Sequence, residues 1–308
     1  MKLAILSAAA LLVSPAIAGE IGVVRDGTSV SISGGGKPFT TLCTDARFPY
    51  LYPLLGTAGG NVTRHFPMKS GVANESTDHP HHRSFWVAHG NVNGVDFWQG
   101  DGEIVLQEIL AAQGGAQSGV LKLALAWKTK EDATLLTETR TYTFSEPDAQ
   151  TRVVLVDCEF KAVAEQVTFG DTKEGTFALR LTPSMQLTGK GAKGSIINSE
   201  GDSGGKAWGK RASWVAFSGP DAEGHPLIVT MADHPENPRH PTWWHARDYG
   251  LFAANPFGEH DFEKGKPAGS GDLKIAKDET VRFRYRVVLF AGTPATTDMS
   301  KLAVWPNN

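Results

Sequence analysis

Two stretches of the chain carry most of the side chains able to do chemistry. Residues 78–98 begin Asp78-His79-Pro80-His81-His82-Arg83-Ser84-Phe85-Trp86-Val87-Ala88-His89-Gly90 and end Asp96-Phe97-Trp98. Residues 234–249 read His234-Pro235-Glu236-Asn237-Pro238-Arg239-His240-Pro241-Thr242-Trp243-Trp244-His245-Ala246-Arg247-Asp248-Tyr249. Together they hold seven of the ten histidines and four of the eight tryptophans. Imidazoles titrate near neutral pH and can move protons. Indole rings present an apolar face and one edge donor, a pattern that matches a pyranose. Such a concentration in proline-punctuated, loop-like sequence marks a binding or catalytic site. A third stretch, Phe169 to Gly175, packs Asp171, Lys173 and Glu174 between two glycines. A Lys or Glu buried there would serve as a general acid or base.

These residue types give specific expectations. His82 and His89 with His245 form the acid/base set, and Lys173 or Glu174 assists. Arg239 or Arg247 stabilises an enolate. Trp86 and Trp244 stack a sugar ring, while Arg64, Asp96, His240 and Asn255, with the two arginines, bind substrate. Each assignment has a plainer competitor. Asp78 can turn the chain through local backbone bonds. Trp86, Trp98, Trp214 and Trp243 can be core, and residues 171–174 can be a solvated hairpin turn. Arg282, Arg284 and Arg286 read as a solvent-facing strand surface. A transition metal on His79, His81, His82 and His89 is a further alternative. The chain has no His-Glu-x-x-His and no Cys-x-x-Cys. On a strand, His79 and His81 would share a face and His82 would point away. A divalent metal is therefore the less favoured reading, and no cofactor is assigned. Without a Gly-x-Ser-x-Gly elbow, dinucleotide fingerprint or phosphate loop, serine hydrolase and nicotinamide chemistry are disfavoured.

The elements that must position these groups read as strands. Leu121, Leu123, Leu125 and Trp127 alternate with polar or small residues. Thr134 to Phe144 sets threonines on one side against Glu138, Arg140, Tyr142 and Phe144, and Val153 to Phe160 alternates again. Val281, Phe283, Tyr285, Val287 and Leu289 oppose the three arginines named above. Period-two patterns of β-branched and aromatic residues predict half-buried antiparallel strands. With no internal repeat and no linker, residues 19–308 are expected to form one all-β domain, a large antiparallel two-sheet sandwich.

Lys2, the apolar run Leu3 to Val13 and Ala16-Ile17-Ala18 have the layout of a secretory signal peptide, residues 1–18. The expected compartment is periplasmic or secreted, with no membrane insertion. Cys43 and Cys158 could pair there. Against that, Cys158 shares a face with Val154, Val156 and Phe160, where a free thiol behaves as a small hydrophobe. The formal charge of −3 gives no electrostatic case for nucleic acid, so the expected partner is a small sugar or glycan.

Several motifs extend this reading. Pro49-Tyr50-Leu51-Tyr52-Pro53, the 78–98 block, Phe169 to Gly175, Trp208-Gly209-Lys210-Arg211, residues 234–257 and Phe283-Arg284-Tyr285-Arg286-Val287-Val288 resemble, in order, a bacterial exported family labelled "methane oxygenase PmoA family". Methane oxidation itself is rejected, because no span follows the signal peptide. The resemblance implies a galactose-mutarotase-like supersandwich and a place among carbohydrate-degrading systems. That architecture hosts epimerases, lyases and plain sugar binders, so it does not select a function. The combined expectation is acid/base chemistry on a modified sugar or glycoside: epimerisation, or elimination or hydrolysis of a keto-sugar glycoside. A non-catalytic sugar binder and a metal-dependent enzyme are the alternatives.

Overall fold

The computed structural model describes residues 19–306, so the expected signal peptide lies outside the described residues. Eighteen strands follow one another along the chain. They are β1 (Ile21–Asp26), β2 (Ser29–Gly34), β3 (Lys37–Cys43), β4 (Tyr50–Leu51), β5 (Phe85–His89) and β6 (Glu103–Gln113). Next come β7 (Gly119–Lys128), β8 (Thr134–Asp148), β9 (Thr151–Ala162), β10 (Gln166–Phe169), β11 (Gly175–Arg180) and β12 (Ser195–Asn198). The last are β13 (Trp214–Pro220), β14 (Pro226–Asp233), β15 (Trp243–Ala246), β16 (Leu251–Asn255), β17 (Leu273–Ala276) and β18 (Thr280–Ala291). Two single-turn α-helices, α1 (Glu259–Phe262) and α2 (Met299–Leu302), and two short 3-10 turns, Pro183–Met185 and Gly204–Ala207, complete the regular structure. Among the described residues no helix is long and apolar enough to cross a membrane.

The strands build two eight-stranded antiparallel sheets, the all-β sandwich that the alternation predicts. The first runs β1-β2-β3-β4-β5-β11-β16-β15 and the second β12-β13-β14-β18-β9-β8-β7-β6. A small β10–β17 ladder stands apart. The alternating faces close the space between the sheets, as strands with one apolar face require. Leu121, Leu123, Leu125 and Trp127 are buried, as are Phe283, Tyr285, Val287 and Leu289. Phe177 of the first sheet meets Tyr285 of the second at a ring distance of 4.1 Å, and Phe85 meets Tyr142 at 6.2 Å. These contacts fix which face of each strand looks inward. On the opposite side of β18, Arg282 and Arg284 pair with Asp157 and Glu236. Arg286 is half-buried instead, because its guanidinium holds the carbonyls of Leu302 and Val304 in the C-terminal segment.

One ion pair lies wholly inside the core. Arg140 and Glu138, two residues apart on the inward face of β8, have side chains with no solvent exposure. The guanidinium donates to both carboxylate oxygens, at 2.6 and 2.7 Å, and the indole of Trp127 donates to Glu138 at 2.8 Å. Complete pairing is what makes such burial tolerable. The cysteines take no part in cross-linking and are both free. Cys158 points into the core, whereas Cys43 sits opposite Tyr50, which in turn sits opposite Trp86 on the outward face. The two thiols face opposite ways, so no disulfide closes without rebuilding a sheet.

Removing one member of the core pair strands the other. Glu138→Ala is expected to cost about 3–5 kcal/mol in urea unfolding. Replacing both residues by apolar ones of similar size should cost clearly less. Equal losses would show that the pair's hydrogen bonds do not set the stability of this core.

Candidate functional site

The two histidine-rich stretches come together on one surface. Residues 85–89 form β5 and residues 243–246 form β15, and both belong to the first sheet with only β11 and β16 between them. Register places His245 opposite Ala253, Ala253 in line with Ala178, and Ala178 opposite Trp86. Because Phe177 and Trp244 look toward the core, this row of alternate residues looks outward. Between Trp86 and His245 it carries nothing larger than a methyl group. Three strand spacings separate those two residues, roughly 14 Å.

At the β5 end a buried polar cluster forms. His79 has a φ of 45° and His82 closes a turn onto its carbonyl at 3.0 Å, so the stretch is a turn, as its loop-like sequence suggests. The turn stacks His79 on His82 at 4.7 Å, where a strand would have set them on opposite faces. His82 also stacks on Trp86 at 5.2 Å and meets Trp98 edge-on at 5.7 Å. Arg180, at the end of β11, reaches Asp78 at 3.2 Å and His82 Nδ1 at 3.3 Å, with the Tyr249 ring 4.5 Å from its guanidinium carbon. Arg247 lies against the same ring at 5.2 Å and against Trp208 at 5.7 Å. Burial works against the Asp78 carboxylate. The Ser76 hydroxyl and the charges of Arg180 and Arg64 outweigh it and hold the pKa at about 2.

The hydrogen bonds assign the two key tautomers. Arginine only donates, so His82 Nδ1 accepts and the proton of the neutral ring sits on Nε2. Burial, followed by the Arg180 charge, drives the His82 pKa far below the usual range. His245 is the mirror case. Its Nδ1 lies 2.8 Å from the Lys173 carbonyl, which only accepts, so Nε2 carries a bare lone pair. Burial lowers its pKa to about 4; the bond to Lys173 opposes that shift and the Arg247 charge adds to it. Neither Nε2 has a partner in the protein. Ten buried side-chain polar atoms of the described residues lack one; besides His79 Nδ1, which lies 3.2 Å from Asp78 Oδ2, six belong to this face: His82, Trp86, Trp98, Arg180, Trp208 and His245. Unsatisfied buried groups are rare, so six on one face indicate a surface completed by something outside the chain.

Other expected site residues serve the backbone instead. Arg64 is fully buried and donates to the carbonyls of Phe66, Ser76, Asp78 and His79 as well as to Asp78 Oδ1. It folds the 76–79 loop and has nothing left for a sugar. His89 faces the core against Phe257 at 4.8 Å, with Nε2 on the Gly170 carbonyl and Nδ1 on the Thr176 hydroxyl. The expected His82–His89 partnership therefore does not form, because the two rings lie on opposite faces of the sheet. Asp96 caps the turn at Trp98 and Gln99, and Asn255 bonds the Thr172 carbonyl and the Phe257 amide. Arg239 staples the carbonyls of Pro256, Gly271 and Asp272. His240 is held by the buried carboxylate of Asp233 at 2.8 Å. Trp86 and Trp244 are both fully buried, so neither ring face is open for stacking.

Residues 171–174 are not a hairpin turn, since β10 and β11 belong to different sheets. Lys173 and Glu174 sit half-buried at the rim and pair with each other at 3.4 Å. Among the described residues no three His, Cys, Asp or Glu side chains are grouped as metal ligands; His79 stacks on His82, and His81 meets both edge-on. Arg180, Tyr249 and Trp208 carry no role in the sequence reading. Arg180 could have been found by parity, since it follows Ala178 by two on a strand whose alternate residues face the core.

Two clefts open at the ends of this face. The larger, about 910 Å³, includes Asp45, Arg47, His81, Arg83, Gln99 and Glu103 in its walls. His81 joins it to the buried cluster, lying 4.5 Å from His82 and 6.5 Å from Trp98. The other, about 480 Å³, lies between Trp208, Trp243 and Phe262. Trp208 and Phe262 are 6.2 and 6.0 Å from His245.

Fold and site together define an all-β sandwich with a histidine- and arginine-lined surface on the outer face of one sheet. The chain belongs to a family described as of unknown function (DUF6807), whose match covers residues 29–304. No curated protein matches the sequence.

The buried imidazoles make stability depend on pH. His81, His89 and His245 have folded pKa values near 4 and His82 lies lower still, against 6.5 unfolded. The unfolded chain takes up protons first as pH falls through 6.5, so stability is complete above that value and is lost toward pH 4. His234, also lowered by burial, adds to them; Asp233, raised by burial, works the other way, but as one group against five. The melting temperature of residues 19–308 is expected to drop by several degrees between pH 7.5 and 5. A flat or rising profile would mean these rings are not buried neutral.

Proposed function

We propose that this protein is an exported carbohydrate-active enzyme that abstracts a proton from a carbon next to a carbonyl of an oxidised sugar. The observation that carries the reading is the pairing, on one sheet face, of an unpartnered imidazole lone pair with several unpartnered donors. A buried base with nothing to accept from, beside donors with nothing to donate to, suits a ligand that supplies both a C–H and acceptor oxygens. The resemblance to mutarotase-like supersandwich proteins points the same way.

In this reading His245 Nε2 takes the proton. The C–H electron pair becomes the C=C bond of an enolate, and the carbonyl π pair moves onto oxygen. Arg247, held against Trp208 and Tyr249, near enough for its charge to lower the His245 pKa and making no hydrogen bond through its guanidinium among the described residues, faces that developing charge. A pKa near 4 keeps His245 unprotonated at neutral pH, and a negative charge forming beside it raises its basicity at that moment. Solvent then delivers a proton to the opposite face of the carbon while the enolate C=C pair forms the new C–H bond, and His245 releases its own proton to solvent, giving an epimer. Alternatively the proton on His245 passes to a β-oxygen that leaves with its bonding pair, giving elimination; addition of water to the unsaturated product would complete a net hydrolysis. Arg180, two strands away on β11, and His82, with Trp98 against it, bind other oxygens of the same ligand rather than the reacting bond. Metal dependence has no comparable observation in its favour.

The test is exchange of substrate C–H for deuterium in D2O, followed by NMR over keto-glycosides and uronides. His245→Gln is expected to lower exchange by about 10²–10⁴-fold while ligand-induced thermal stabilisation persists. The wild-type rate should stay level from pH 7 to 5 and fall as the ring protonates near 4. Stabilisation without exchange would make the protein a sugar binder. Neither stabilisation nor exchange with any of these compounds would remove the carbohydrate reading.

A further inference from the structure

The cleft between Trp208, Trp243 and Phe262 has a composition that the proton-transfer step does not use. Three aromatic rings line it, and Lys210, Arg211 and Lys264 stand around it. The one carboxylate in its wall, Glu263, is already engaged, accepting from the Trp243 indole at 2.9 Å and facing Lys266 at 3.5 Å. Arg211 is spent on the carbonyls of Pro241 and Arg239 and on the Trp243 ring. Lys210 and Lys264 are exposed and make no ion pair among the described residues. The cleft therefore offers aromatic faces for a ring, two uncommitted ammonium groups and no uncommitted anion. The Trp208 indole N–H, buried and without a partner, adds a donor. His245 stands just behind its aromatic wall, packed on Trp208 and Phe262.

We infer that this cleft is a subsite for an anionic sugar unit, a uronate or a sulfated residue, next to the unit on which His245 acts. The inference rests on the reading of His245 as the base, and it makes the substrate a charged oligosaccharide instead of a free monosaccharide. Lys210 and Lys264 draw in the carboxylate or sulfate, while the half-buried Trp208 receives the apolar face of the ring. Exposed lysines act over a Debye length of about 8 Å at physiological salt, so the preference for charge weakens as salt rises.

The experiment is calorimetric binding of a triuronate, a sulfated trisaccharide and the neutral trisaccharide to residues 19–308, at low and high salt. The charged ligands are expected to bind at least about tenfold more tightly than the neutral one at low salt, as two added charge contacts would give. In a Lys210→Ala/Lys264→Ala variant that advantage should fall to within about twofold, and Trp208→Ala should weaken all three ligands. The two lysines are on the surface, so the variant is expected to keep the wild-type melting temperature, which is checked first. Whether the triuronate or the sulfated sugar loses more in the double variant identifies the anion. Equal binding of charged and neutral sugars by the wild type, or an undiminished preference in the lysine variant, would overturn the subsite. If His245→Gln still abolished deuterium exchange, the catalytic reading would survive that failure. A lysine-dependent preference for charged sugars with no exchange on any of them would keep the subsite and defeat the catalytic reading.

Discussion

Burying a guanidinium is the constraint on which the rest of this site depends. Four arginines, at positions 64, 140, 152 and 180, are almost wholly removed from water. Five N–H donors each must then find acceptors, or the fold bears the desolvation cost. Arg64 finds carbonyls and Asp78; Arg140 finds Glu138; Arg152 finds Glu146 and the carbonyls of Pro38 and Leu55. Arg180 finds only the edge of Asp78 and a histidine nitrogen, and its Nε finds nothing. Burial and the neighbouring Arg64 charge lower its pKa to about 10. The fold tolerates this one incomplete arginine where five other unpartnered polar atoms share the same sheet face. Each of the other three buried arginines instead places its Nε on a carboxylate or a carbonyl.

The sheet explains how these groups share a surface. Four adjacent strands put Trp86, Ala178, Ala253 and His245 in one row, and the two alanines leave the middle of the row low. The inward residues of the same strands, Phe177 and Phe252 among them, lock the row to the second sheet. Site geometry is thus set by core packing, not by loop order. The loops supply the finish. Arg64 holds the 76–79 turn from below, and Tyr249 lies between His79, Arg180 and Arg247, so one ring couples both histidine stretches.

Much of this was legible in the sequence, and the reasons for the gaps are physical. Alternation located β7, β8, β9 and β18, because a strand with one buried face must repeat every second residue. Composition pointed to the two stretches and, among their histidines, to His82, His89 and His245 alike. It did not separate polar side chains that complete the backbone from those that wait for a ligand. Asn255, Asp96, Arg239 and Arg64 have the residue types of a sugar site, yet each is consumed by amides or carbonyls brought near only by folding. Trp86 and Trp244 failed for the same reason, since an indole suits a core as well as a sugar. His89 differs from His245 only in the parity of its position, which turns one inward and the other outward. That parity was available, but only once the inward face of each strand was known.

The central claim is that His82 and His245 are both neutral at pH 7 and carry their protons on opposite nitrogens. Long-range ¹⁵N–¹H correlation spectra of the histidine side chains, assigned through His82→Asn and His245→Gln, read this directly. The expected result is His82 as the Nε2–H tautomer and His245 as the Nδ1–H tautomer, both unchanged from pH 7.5 to 5.5. An imidazolium at either position, or Nε2–H at both, would leave no free base on this surface and would contradict the account.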